Sequence, residues 1–229
     1  MGAPLIVLVP GAGGSAWYWH RVVPLLQAGG RRAVAVDLPG NDPDAALLDS
    51  VDRVVSAARD GGEVVLVGQS FGGFSASAAV PRLEVRELVL VNAMIPLPGE
   101  SGAQWWKAVG QRAARREAEA AAGRDPDAGF SLETVFFHDL SPQLVAAALE
   151  HEREQAERAF NDPWPLEAWP EVATRVLVGD DDRLFPPEMQ RRVAQERLGL
   201  PVQTLPGGHL NALSRPEELA AAILSGSAD

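Results

Sequence analysis

The chain has 229 residues, 46% of them hydrophobic, with a formal net charge of −11 and no cysteine. Such a length and apolar share suit one globular domain with a real core, and the acidic balance argues against nucleic acid or an anionic membrane surface as partner, since both need a basic footprint. The same acidic balance fits a small, neutral or weakly charged substrate, and the missing cysteine excludes disulfides, thiolate metal sites and a cysteine nucleophile. The first predicted element is the strand "LIVLV" (5–9) inside "MGAPLIVLVPGAGG", a segment with no basic leader and an apolar run too short for a signal sequence or a membrane span. A cytoplasmic location is the expectation.

Along the chain, "AWYWHRVVPLLQAGG" reads as an amphipathic helix closed by glycines, then "RAVAVDL" (32–38) as a second strand and "DAALLDSVDRVVSAARDGG" as a second helix. The third strand, "EVVLVG" (63–68), runs directly into "QSFGGFSASAAV", a small-residue helix able to pack tightly on a sheet. "ELVLVNA" (87–93), "TRVLVGD" (174–180) and a weaker "PVQTL" (201–205) complete six strands. Strands apolar on both faces and separated by helices predict a parallel sheet covered on both sides, an α/β fold. The regularity breaks once, between residues 94 and 171, where "AQWWKAVGQRAARREAEAAAG" and "SPQLVAAALEHEREQAERAF" are helical patterns without a convincing strand. That interval is read as a helical lid inserted in one domain whose core is 1–93 and 172–229.

Ser70 lies between Gly68 and Gly72, at the junction of the third strand and its helix. A sharp strand-to-helix turn needs such spacing, because the turn residue is strained and neighbouring side chains would collide. A serine hydroxyl is a weak nucleophile and needs a base oriented by a carboxylate. Of four histidines, His20 falls in the first helix and His138 and His151 in the lid, where surface roles are expected. His209 instead follows the last strand in "LPGGHLNAL", at the carboxyl end of the sheet, where open α/β folds place their sites. Asp180, Asp181 and Asp182 follow the fifth strand; an acidic cap for the helix that "PPEMQRRVAQ" begins is an alternative role, and chemistry alone does not choose among the three. Two backbone N–H groups for an oxyanion would come from Phe71 and from the loop "VPGAGGSAW". Phosphate binding by that loop lacks the GxGxxG or lysine pattern.

Together these segments resemble the α/β-hydrolase superfamily, and within it the small esterases that include plant methyl-ester esterases, hydroxynitrile lyases and their bacterial relatives. "VLVPGAGGSAWYWHRVVPLL", "VGQSFGG", "VLVNAMIP", "GDDDRLFPPE" and "GGHLNALSRPEELAAAIL" carry the resemblance over nearly the whole chain. The resemblance implies about six parallel strands and the chain order Ser70, Asp182, His209 for the catalytic groups, with Asp181 as runner-up acid. It implies Ala12 as the second oxyanion donor, although Pro10-Gly11 stands where relatives usually carry His-Gly. No metal or organic cofactor is implied. Trp17, Trp105, Trp106 and Phe137 are the expected pocket aromatics, with at most one of the adjacent tryptophans facing substrate.

The implied activity is hydrolysis of a small carboxylic ester through an acyl-enzyme. Thioester or lactone hydrolysis is an alternative, since the triad would open either and "AGGSA" resembles the oxyanion loop of editing thioesterases. A slow-turnover ligand receptor on the same scaffold is a third. Lyase chemistry is not expected, because the resemblance to hydroxynitrile lyases implies a threonine where this chain has Gly11 and a lysine where it has Leu210.

Overall fold

The computed structural model describes residues 3–226. Strands β1 (Leu5–Val9), β2 (Arg32–Ala35), β3 (Val64–Gln69), β4 (Val85–Val91), β5 (Thr174–Gly179) and β6 (Val202–Leu205) form one six-stranded sheet in the order β2-β1-β3-β4-β5-β6. Every pairing is parallel. Helices α1 (Val22–Ala28), α2 (Leu47–Ala58) and α3 (Gly72–Ala79) accompany the first three strands. Between β4 and β5 lie α4 (Gly102–Ala108), α5 (Gln111–Ala121), α6 (Leu132–Val135), α7 (Pro142–Glu150) and α8 (Glu157–Asn161). The chain then continues through α9 (Pro187–Leu198), α10 (Asn211–Ser214) and α11 (Pro216–Gly226).

Side chains alternate across a strand, so one run of apolar residues serves two layers. Ile6, Leu8, Val65, Val67, Val89 and Val91 pack with Val22 and Leu26 of α1 and Leu219 and Ile223 of α11. Their strand neighbours Val7, Val9, Val64, Leu66, Leu88 and Leu90 pack on the other face with α2, α3 and α9, through Val51, Val54, Phe74 and Val193. Each fully buried side chain of this size contributes about 1.5–3 kcal/mol of hydrophobic stabilisation. The strands are thus held from both sides, and their carboxyl ends become a firm platform.

Two expectations about helices need correction. The residues "AWYWHRVVPLLQAGG" do not form one helix: a 3-10 turn spans Ala16–Trp19 and α1 begins only at Val22. Pro24 fixes the boundary, because proline fits the first turn of a helix and disrupts its interior. The two helical patterns of the insertion are also divided. Gly110, at φ 66°, separates α4 from α5. The residues between α7 and α8 leave the helix to cross the loop after β1, where Gln155 Oε1 accepts the Gly13 N–H at 3.2 Å.

From β1 the chain passes to β2 on one side and returns to β3 on the other. This topological switch opens a crevice above the adjacent ends of β1 and β3.

Candidate active site

Ser70 leaves β3 with a left-handed backbone, φ 51°, one of two such non-glycine residues among those described. Its strain is held by hydrogen bonds: Ser70 N–H donates to Val91 O at 3.1 Å, and Ser70 O accepts from Gly73 at 3.0 Å and Met94 at 2.9 Å. Neighbouring side chains are excluded by contact. A Cβ on Gly68 would lie 2.9 Å from Ala76 Cβ, and one on Gly72 would collide with Pro10 O. The fully buried, small-residue helix α3 follows from the same crowding.

His209 comes from the loop between β6 and α10, and Asp182 from the loop after β5. His209 Nε2 lies 3.0 Å from Ser70 Oγ, and Nδ1 lies 2.8 Å from Asp182 Oδ2. A carboxylate can only accept, so the Asp182 contact assigns the ring proton to Nδ1 and leaves the Nε2 lone pair for the serine hydroxyl. Phe185 and Phe136 meet the imidazole edge-on at 5.0 and 5.4 Å.

Asp182, whose side chain is 0% exposed, is saturated with donors. Oδ1 accepts from Leu184 N–H at 2.9 Å and Phe185 N–H at 2.8 Å, while Oδ2 also accepts from Gln190 Nε2 at 3.0 Å. Its two neighbours face elsewhere, and neither caps α9, whose N-cap is Pro186 without a side-chain bond. Asp180 Oδ1 accepts the Gly207 N–H at 2.9 Å. Asp181, half exposed, pairs with Arg183 at 3.4 Å. It also lies 3.1 Å from His138 Nε2, near enough for ion pairing but without hydrogen-bond alignment.

Three buried amides outside the expected set fix this geometry. Gln69 Nε2 and Asn92 Nδ2 each donate to His209 O at 3.2 Å, and Asn92 Nδ2 also reaches Gly208 O at 3.3 Å. Asn92 Oδ1 accepts the Gly179 N–H at 2.7 Å, so one side chain joins the ends of β4 and β5 to the histidine loop. The signal for Asn92 was its place directly after a strand, since asparagine tolerates the left-handed conformation it adopts, φ 46°. Gln190 carried no local signal.

Ala12 and Phe71 both border the cavity above Ser70. Among the described residues neither of their N–H groups has an internal acceptor, whereas the adjacent Gly13 N–H is taken by Gln155. The cavity has a volume of about 370 Å³ and a mostly apolar lining that includes Trp17, Trp106, Phe137, Phe160 and Leu210. Trp105 does not belong to it. That side chain is 1% exposed, donates from Nε1 to Ile95 O at 3.0 Å and packs on Phe185, so it is core.

The histidines assigned to surfaces divide three ways. His20 is exposed, but His138 is half-buried, with its side chain only 5% exposed. His151 is exposed at the cavity wall, where Trp17 stacks between it and His20 with ring centroids 4.5 Å apart on each side. Among the described residues there is no group of three or more His, Asp or Glu placed to hold a metal, and no helix long and apolar enough to cross a membrane.

Comparison with known proteins agrees with this architecture. The model of the "Alpha/beta hydrolase family" matches residues 6–222. Esterase PIR7B of Oryza sativa subsp. japonica is 37% identical over 107 residues, 41% of this chain, which thus spans only 40% of that protein's length. A pyrethroid hydrolase of Sphingobium wenxiniae is 31% identical over 244 residues, covering 95% of this chain and 85% of its own. The crystal structure of polyneuridine aldehyde esterase superposes with a TM-score of 0.79 at 22% identity, over 99% of this chain and 100% of the other, a likeness of fold. With a parallel six-stranded sheet, a serine at the strained turn after β3 and a family match over nearly its full length, this chain belongs to the alpha/beta hydrolase family.

Proposed function

We propose that the protein is a serine hydrolase that cleaves small carboxylic esters through an acyl-enzyme on Ser70. One observation carries the reading: a continuous line from Asp182 Oδ2 through the His209 ring to Ser70 Oγ, with steps of 2.8 and 3.0 Å, at the floor of an apolar cavity. His209 Nε2 takes the hydroxyl proton as Oγ attacks the ester carbonyl. Asp182 keeps the imidazole in the required tautomer and stabilises the imidazolium that forms. The Ala12 and Phe71 N–H groups receive the negative charge on the former carbonyl oxygen, and they need no reorganisation because no other acceptor holds them. His209 then returns the proton to the departing alcohol. Water, activated by the same histidine, attacks the acyl carbon and frees Ser70. The apolar lining favours uncharged acyl and alcohol groups, and the named esterase and hydrolase relatives support ester hydrolysis as the reaction class.

The test is covalent labelling combined with turnover. A fluorophosphonate is expected to add to Ser70 alone by peptide mass mapping, and p-nitrophenyl acetate to be hydrolysed. Ser70→Ala should abolish the adduct and lower kcat by about 10⁴-fold or more. Substantial hydrolysis by Ser70→Ala would sink the mechanism.

A further inference from the structure

The segment joining α6 to α7 touches the histidine loop in a way the proposed reaction does not use. Phe136 meets the His209 ring edge-on. His138 packs over Gly208, where an added Cβ would lie 2.7 Å from His138 Cε1. Asp139 makes the polar contact: its Oδ2 accepts the Gly208 N–H at 2.8 Å. Its other oxygen, Oδ1, is buried without a hydrogen-bond partner among the described residues, as is the Tyr18 hydroxyl. Tyr18 is held protonated by burial first, then by the negative charge of Asp139 and then of Asp182, so a neutral phenol lies within electrostatic reach of this carboxylate.

We infer that Asp139 is a positioning residue for His209, acting through the backbone of the loop that carries the imidazole. The argument is one of restraint. "PGGHL" has glycine at both positions before the histidine, which gives that backbone many accessible conformations and no side chains of its own to anchor it. Successive peptide units are therefore tied from outside. Asn92 holds Gly208 O, and Gln69 and Asn92 hold His209 O, all from the sheet. Asp139 holds the Gly208 N–H from the opposite side, in the helical insertion. An ionised acceptor makes the stronger class of hydrogen bond, and a buried one gains from the low local dielectric. Seating of the insertion and placement of the base are thereby coupled: the imidazole has its full set of ties only when Asp139 is docked.

This inference rests on the serine-hydrolase reading, and the experiment separates the two. Wild type, Asp139→Ala and Asp139→Asn are compared for p-nitrophenyl acetate kinetics and for the rate of Ser70 labelling by fluorophosphonate. Asp139→Ala should lower kcat and the labelling rate together by about ten- to a hundredfold, with KM within about twofold, since a misplaced base slows chemistry and not binding. Asp139→Asn retains an oxygen that can accept the Gly208 N–H, and should recover most of both rates. The inference is overturned if Asp139→Ala matches wild type, if only KM changes, or if the asparagine variant is no better than the alanine one. Should Asp139→Ala fail to fold, amide exchange in the unaltered protein decides: protection of the Gly208 N–H by about tenfold or more supports the tie, and exchange at the rate of an open loop removes it. A wild type that neither turns over nor labels refutes the hydrolase reading instead, and the Gly208 exchange rate still reports on the Asp139 contact.

Discussion

Asp182 receives four hydrogen bonds on two oxygens, while Asp181, one residue away, is half exposed beside Arg183. An amide in place of the buried carboxylate would set an N–H against a donor or lose the bond that orients the ring. Asp182→Asn is therefore expected to cut kcat by about 10⁴-fold in a folded protein, and Asp181→Asn to change it only a few-fold. The reverse ranking would move the acid to Asp181. Gly11 is explained at the same scale: a Cβ there would lie 2.6 Å from Gln69 Oε1 and 2.8 Å from Ser70 Cβ. No threonine hydroxyl can occupy that position without displacing the nucleophile, and Leu210 presents only hydrocarbon to the cavity. The arginine on the cavity wall, Arg153, is paired with Asp37 at 2.9 Å, so departing cyanide would find no dedicated cation, a loss of several kcal/mol in electrostatic stabilisation, on the order of that from removing an oxyanion donor. Mandelonitrile should accordingly release cyanide no faster with enzyme than in buffer. Ser70 and His209 stood out as candidates because each lies in a short motif after a strand, whereas Asp182 was separated from Asp180 and Asp181 only by the family resemblance. Gln190 and Asp139 were not legible, because their roles depend on which distant loop packs against them.

On α4 the two tryptophans divide as helical geometry requires, since neighbours point about 100° apart. Trp105 is core, hydrogen-bonded to Ile95 O, and Trp106 borders the cavity. Trp105→Ala should lower the unfolding free energy by about 3–5 kcal/mol in urea titrations. Trp106→Ala should instead alter the relative rates of acetyl, butyryl and octanoyl esters with a smaller effect on stability. Identical rate profiles for the two variants would remove α4 from the substrate site. Periodicity could say that one tryptophan faces inward and one does not; which one depends on how α4 docks, and docking is tertiary. The start of α1 is a different case. Pro24 was visible in the sequence and marks a first turn, so the helix read six residues too early was an avoidable error of pattern over chemistry.

For the molecule as a whole, the sheet was readable because parallel strands buried on both faces must be largely apolar, as β1, β3 and the buried stretches of β4 and β5 are, while the edge strands β2 and β6 are more exposed and the last gave the weaker signal. The path of the chain between β4 and β5 was not readable: local signals mark helix ends there, with Ser101, Ser131 and Ser141 as N-caps and Gly110 between α4 and α5, but where each helix docks is set by tertiary packing. The net charge of −11 acts at this largest scale. Arg153 at the cavity rim does not offset it, being paired with Asp37 at 2.9 Å. For an ester that carries a free carboxylate, kcat/KM should rise as salt screens the field between about 0.01 and 0.15 M, while a neutral ester of equal size stays flat. Equal salt responses would mean that the site does not sense the global charge.

The stack of His20, Trp17 and His151 has an optical consequence. Indole emission depends on what lies against its faces, and here both are covered by imidazole rings, one of them on the cavity wall. A ligand that enters the cavity and shifts His151 uncovers one face of Trp17. Its fluorescence should change in intensity and wavelength, and subtracting the spectrum of Trp17→Phe isolates that signal from the other five tryptophans. The protein thus contains a built-in spectroscopic probe of occupancy, readable without a chromogenic substrate and with Ser70 left unmodified.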